Sequence, residues 1–319
     1  MPSYLIDRSG AGEVELDRAR LEQLRDGEGF WWLDVHGPAD EELVLLGDVL
    51  GFHELAIEDA MNFGQRPKLE EFDDFVFLVV FGAARDEDDV VEVHCFYSAR
   101  FLVTVRRDEC SAFAEVRDRY TRRPEGLDEP ALVLYRVVDS LVDSFFPLLT
   151  DVDEFIDAVE EGIFSRPDQE QLRRVFQMKR RLAALRRVIA PQRDLAATLA
   201  GGVAEVPAIS PEAERGFRDV YDHLIRLTDT IDGYRDLLGG ASDAYLSMVS
   251  NRLNDVTKQL AVIATIFLPL TFITGFFGQN FGWMVRAVGG EVEFWVLGVA
   301  LQFLALLGLF VLFRRRGWF

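Results

Sequence analysis

The chain has 319 residues, 49% of them hydrophobic and 28% charged, and a formal net charge of -20. That length suits one or two soluble domains plus a small membrane part. Residues 259–319 hold Arg286, Arg314, Arg315 and Arg316 against Glu291 and Glu293, so the rest of the chain carries -22. Such a body repels nucleic acid and anionic lipid and attracts cations; plain solubility is the other reason for acidity. Cys95 and Cys110 make no disulfide framework and fit a reducing compartment. There is no HExxH or CxxC pattern, no nucleophile–base constellation and no phosphate loop, so neither an enzyme nor an organic cofactor is expected.

No signal peptide precedes Leu5, and the body is expected to stay on the synthesis side of the membrane. Residues 30–36 read as a strand and 39–50 as an amphipathic helix. Residues 75–84, 90–97 and 101–106 are Val- and Phe-rich strands, with Asp86, Glu87, Asp88 and Asp89 at the turn between the first two. Beyond about 110 the β signals disappear. Residues 128–163 are apolar at helical spacing through Leu134, Val137, Leu141, Phe145, Leu148, Val152 and Val159, which predicts one helix that Pro147 kinks or breaks. Residues 168–200 form a basic helix opposite an acidic one, read as an antiparallel hairpin with solvated charges. From 212 no proline occurs until Pro269, so 212–277 reads as one helix, its cytoplasmic part on the order of 70 Å at about 1.5 Å per residue. A helix of that length needs neighbours.

Residues 260–277 and 294–313 are each apolar enough and long enough to cross about 30 Å of hydrocarbon. Nothing before 259 is. Two spans with a short loop form a hairpin; Lys258 and Arg314, Arg315 and Arg316 place both termini in the cytoplasm, with Trp295 and Trp318 at the interfaces. The spans differ. The second has only Gln302 as a polar residue and reads as lipid-facing. The first carries Thr265, Thr271, Thr274, Pro269 and Gly275. In steps of three or four, Asn254, Thr257, Leu260 or Ala261, Ala264, Leu268, Thr271, Gly275 and Gly278 share one face and lead to Asn280. Polar girdles separated by apolar constrictions suit a gated cation path. A small-residue packing seam, with threonines bonded to their own backbone, suits the pattern equally well. Two helices cannot enclose a pore, so a path requires several subunits.

The segments Tyr245-Leu246-Ser247-Met248-Val249-Ser250-Asn251-Arg252-Leu253-Asn254, Ala264-Thr265-Ile266-Phe267-Leu268-Pro269-Leu270-Thr271 and Gly278-Gln279-Asn280 resemble the CorA-type metal ion transporters, two-span proteins with a Gly-Met-Asn signature. Gln65-Arg66-Pro67-Lys68 and Phe217-Arg218-Asp219-Val220-Tyr221-Asp222-His223 are similar to family segments too. The resemblance implies a funnel-shaped homopentamer: an α/β domain (1–126), a helical hairpin (127–211), a stalk helix (212–258), a pore-lining span (259–277), an extracytoplasmic loop (278–293), an outer span (294–313) and a basic tail (314–319). It implies a multi-pass protein of the cytoplasmic membrane whose partners are itself, lipid and divalent cations. Gly278, Gln279 and Asn280 would form the ion entrance, Asn254 and Thr271 polar pore positions, and Leu260 and Leu268 the hydrophobic gate; Thr257, polar on the same stripe, stands where relatives often have methionine. Mg2+, with Co2+ or Ni2+, would be carried, and cytoplasmic Mg2+ between subunits would hold the pore shut at Asp219 and Asp86, with Asp88 or Asp89 in place of Asp86 as alternatives. Gln279 stands where the family has methionine. It motivates a proton-coupled Zn2+ transporter as an alternative, and a membrane-anchored metal sensor without flux is a third reading.

Overall fold

The computed structural model describes residues 3–84, 90–165, 167–202 and 204–316. Two compact units divide the chain, Met1–Asp243 and Ala244–Phe319.

The first unit is built on a seven-stranded sheet of order β2-β1-β3-β7-β6-β5-β4. Its strands are β1 (Ser3–Asp7), β2 (Gly10–Val14), β3 (Trp31–His36), β4 (Lys68–Glu71), β5 (Val76–Ala83), β6 (Val90–Tyr97) and β7 (Phe101–Arg106). β3 and β7 run parallel, and every other pair is antiparallel. The long Val- and Phe-rich strands are central because both their faces are covered. The edges go to short strands with charged side chains, Glu13 on β2 and Lys68, Glu70 and Glu71 on β4, which discourages edge-to-edge association.

Helices α1 (Arg18–Asp26), α2 (Asp40–Leu50) and α3 (Glu54–Met61) precede β4; α4 (Ser111–Arg122) and α5 (Pro130–Asp143) follow β7. Successive strand side chains point to opposite faces. On one face Trp31 stacks on Phe101 and donates to Leu24 O of α1, while Phe52, just after α2, stacks on Phe96. On the other, Trp32 packs against Phe113 and Tyr120 of α4. Gly82 lies beneath α5, where a Cβ would come within 2.7 Å of Leu141 Cδ2. The sheet is therefore sandwiched between helices. α5, grouped with the helical hairpin in the sequence, is one of its covering layers.

The helix expected over 128–163, with a kink or break at Pro147, is divided into α5 and α6 (Phe145–Ser165), which meet at Ser144. Ser144 Oγ accepts the Ala83 amide at 2.7 Å and donates to Leu141 O at 2.5 Å, so the break serves the end of β5. Pro147 sits in the first turn of α6, where its missing N–H costs nothing. α7 (Gln169–Ala200) begins at an Asp168 N-cap. Gln192 of α7 accepts the Phe81 amide at 2.8 Å, satisfying β5 beyond the reach of β4. Arg186 pairs with Asp232 of α8 (Pro211–Phe277), and not with the acidic face of α6. The long helix expected over 212–277 is thus present as α8.

A buried ionic cluster ties the sheet to α4. Asp34 of β3, 1% exposed, receives Arg106 at 3.2 Å, Arg117 at 3.1 Å and Thr104 Oγ1 at 3.0 Å. Asp34→Ala would leave the Arg106 guanidinium buried without its carboxylate. It is expected to destabilise the unit by about 3–5 kcal/mol, read as a fall in thermal midpoint of the purified protein; an unchanged midpoint would contradict it. Cys95 and Cys110 are free and buried, and burial pushes both thiols up.

In the second unit the last turns of α8 are followed by α9 (Gly282–Ala287) and α10 (Glu291–Arg315). The segment read as a polar loop therefore contains a helix, anchored by Met284, which is 5% exposed. After its opening residues Glu291–Glu293, α10 runs through wide π turns over Phe294–Ala300. α8 and α10 each carry a stretch long and apolar enough to span a membrane, with 0% and 6% of that stretch buried. Surfaces so apolar and so uncovered require lipid or further copies of the chain.

Candidate cation path and cation-binding cluster

Asn254, Thr257, Leu260, Ala261, Ala264, Leu268, Thr271 and Gly275 are all exposed on α8, Leu260 at 62% and Leu268 at 75%. Between 259 and 277 the half-covered residues are Val262, Ile266, Pro269, Leu270, Ile273 and Phe277. At about 100° per residue these two sets lie on opposite sides of the helix. The stripe lies at the centre of a wide uncovered arc, in which Ile263, Phe267, Phe272 and Phe276 are exposed as well.

Thr257, Thr265, Thr271 and Thr274 each donate the hydroxyl proton to the carbonyl four residues back, at 2.7 to 2.9 Å. The back-bonding expected of a packing seam is therefore present. It also spends the donor and leaves only oxygen lone pairs, so Thr257 and Thr271 present acceptors on the open face. Such a face suits a cation and repels an anion.

α8 closes through Gly278, whose amide bonds Thr274 O at 2.9 Å, and Gln279, whose amide bonds Phe276 O at 3.3 Å. A Cβ at 278 would lie 2.9 Å from Thr274 O, so glycine permits this close. Asn280 follows, exposed, at the negative end of the helix dipole. Gln279 and Asn280 line a cavity of ≈ 210 Å³ together with Phe277, Met284, Glu293 and Phe294.

A second arrangement lies in the first unit. Among the described residues one group of His, Cys, Asp and Glu is compact enough to share an ion: Asp139, Asp143 and His223, with ligand atoms within 4.8 Å of one another. Gly216 makes it possible. It lets α8 approach α5 so closely that a Cβ there would meet the Tyr135 ring at 2.8 Å. Two turns on, His223 Nδ1 sits 2.9 Å from Asp143 Oδ1, and its Nε2 is 3.9 Å from Asp219 Oδ2. Asp139 Oδ1 is buried with no hydrogen-bond partner among the described residues. Burial raises the Asp139 carboxyl above its ordinary value, Asp143 adds to this, and Arg136 and His223 oppose it. A buried carboxylate oxygen without a donor, beside the Asp143 carboxylate and an imidazole, fits a divalent cation.

Asp219, singled out in the sequence, is therefore beside this cluster, whereas Asp86, with Asp88 and Asp89, lies outside the described residues. Sequence reasoning missed Asp139 and Asp143. The signal was there: Asp139/Asp143 and Asp219/His223 are two i,i+4 pairs of ligand residues, each on one helix face.

The model of the CorA-like Mg2+ transporter protein family matches residues 27–315. The chain belongs to that family. A cobalt/magnesium transport protein CorA from Thermotoga maritima is 35% identical over 92% of this chain and 85% of its own length. The YfjQ protein of Bacillus subtilis is 35% identical over 94% of this chain and 93% of its own. The solved CorA magnesium transporter of Methanocaldococcus jannaschii superposes with a TM-score of 0.85 at 21% identity, covering 100% of this chain and 99% of that one. The mixed α/β unit, the long helix and the two apolar helices of this CorA-like chain are thus the family fold.

Proposed function

We propose that the chain carries divalent cations across the cytoplasmic membrane through a homopentameric pore, with Mg2+ as cargo and as cytoplasmic regulator. The observation that carries this is the open stripe of α8. It lies opposite the half-covered face, offers oxygen acceptors between apolar positions, and leads to Gly278, Gln279 and Asn280. Five first spans with these stripes inward would enclose a path whose apolar constrictions at Leu260 and Leu268 stay dry until the subunits move. Both termini are then cytoplasmic and the loop faces outward.

Magnesium sheds water reluctantly, so amide oxygens that hold its water shell are a cheaper first contact than direct ligation. Asn280 supplies that contact, with Gly278 and Gln279 shaping the loop around it. No bond is made or broken, and no organic cofactor is needed. On the cytoplasmic side Asp139, Asp143, His223 and Asp219 hold a regulatory cation. It neutralises carboxylates that repel one another, and its loss releases the arrangement that keeps the pore shut.

The test is flux through purified protein in liposomes with Mg2+, Co2+ and Zn2+, with and without a pH gradient, beside a mass measurement of the oligomer. Saturable Mg2+ flux independent of the pH gradient through a pentamer is the expected result. Zn2+ flux that follows protons supports the zinc alternative raised by Gln279. A monomer or a pentamer without flux supports the sensor.

A further inference from the structure

The segment after Asn280 carries three charged side chains, Arg286, Glu291 and Glu293, and they are placed differently. Arg286 turns back along α9, its Nε donating to Gly282 O at 2.9 Å. Glu291 is exposed in the first turn of α10. Of the three, Glu293 is the one that lines the cavity shared with Gln279 and Asn280. Gly290 makes the room. A Cβ at 290 would collide with Glu293 Oε2, so the carboxylate folds across a backbone that has no side chain there. The wide turns of Phe294–Ala300 begin immediately after, and Phe294, Leu297 and Gly298 of those turns form apolar wall of the same cavity. Its volume, ≈ 210 Å³, corresponds to about seven waters at roughly 30 Å³ each, room for a divalent ion with its water shell.

We infer that Glu293 is a specificity-determining residue of the entrance: its carboxylate sets the preference for divalent over monovalent cations at Gln279 and Asn280. This rests on the transport reading above. A fixed charge about 7 Å from the ion, acting through water, favours a divalent cation by roughly 5–10-fold and a monovalent one by roughly 2–3-fold at low ionic strength. Salt at a Debye length of about 3 Å, reached near 1 M, removes most of that difference. An acid in the first turn of a helix also favours the helix dipole. That purely structural role would move the thermal midpoint and leave ion affinity alone.

The experiment compares wild type, E293Q, E293D and E291Q in proteoliposomes, with Mg2+ uptake measured against external concentration at low and at high monovalent salt. E293Q is expected to raise the apparent KM roughly 5–10-fold at low salt, with the change falling on KM more than on maximal flux. The difference should shrink at high salt, and E293D should restore most of the wild-type KM. E291Q should behave as wild type. An E293Q protein that elutes as wild type and keeps its KM at low salt overturns the inference, as does a KM shift of equal size in E291Q. Wild-type protein without flux would sink the transport reading separately. Glu293 is then judged on Mn2+ binding to sealed vesicles with the loop outward, followed by electron paramagnetic resonance. Weaker Mn2+ binding by E293Q supports its role, and equal binding overturns it.

Discussion

Asn280→Ala is expected to cut Mg2+ uptake by at least 100-fold in cells that lack their own magnesium uptake, and to remove growth rescue. The size follows from what the side chain does. A hydrogen bond to a charged partner contributes about 1.5–3 kcal/mol, and a factor of 100 corresponds to about 2.7 kcal/mol. Loss of one amide contact per subunit therefore exceeds that factor in any assembly where several act on one hydrated ion. Asn280 is exposed and lies beyond the last turn of α8, so the substitution leaves no buried hole and the protein should still assemble. Asn280→Gln keeps the amide but moves it outward by one methylene; partial uptake is expected, below one tenth of wild type. Normal rescue by the alanine variant, with assembly intact, would refute the entrance reading. Uptake in whole cells and flux in liposomes should agree.

How much of this could be read from residues alone depends on where the deciding forces act. The central strands β5, β6 and β7 announce themselves because continuous Val and Phe runs have no use other than burial on both faces. The long helix α8 was legible to within a residue, since no proline interrupts it before Pro269 and its apolar part is long enough to be a span. The edge strands were not legible. β2 contains Gly10 and Gly12, and β4 is Lys-Leu-Glu-Glu, so neither shows alternation; each is a strand because a neighbour's backbone needs a partner. The break at Ser144 was legible only as the kink or break expected at Pro147. Pro147 cannot bond the carbonyl four residues back, and the end of β5, distant in sequence, uses the Ser144 hydroxyl. The stripe on the first span was legible from spacing, but its place at the centre of the uncovered arc needed the half-covered residues on the other side. The cation cluster joins residues about eighty positions apart in the chain, and only the close approach at Gly216 reveals that α5 and α8 share it.

That cluster leads to the other large effect. Asp139→Asn with Asp143→Asn is expected to abolish the stabilisation that Mg2+ confers, and with it the closing of the pore by internal Mg2+. In the wild type, Mg2+ at about 100 times its dissociation constant should add about 2.7 kcal/mol, or roughly 5–10 °C in thermal midpoint for a unit of this size. The pH dependence has a definite sign. Burial raises the Asp139 carboxyl, so the folded protein binds that proton more tightly than the unfolded chain does. Above the raised value the ionised carboxylate destabilises the fold, and falling pH relieves this as the group protonates. A bound cation relieves the same repulsion without a proton, so cation and proton compete. The Mg2+ increment should therefore be full above the raised Asp139 value and shrink as pH falls through it, sooner than an ordinary carboxylate would allow. Without Mg2+ the double variant should melt at or above the wild-type temperature, because it has lost the repulsion, while its response to Mg2+ is flat. A purely structural role for the two aspartates predicts the reverse, a variant that melts lower and still gains from Mg2+. Thermal melts at several pH values, with and without Mg2+, separate the two. Flux at high internal Mg2+ then shows whether the same carboxylates close the pore.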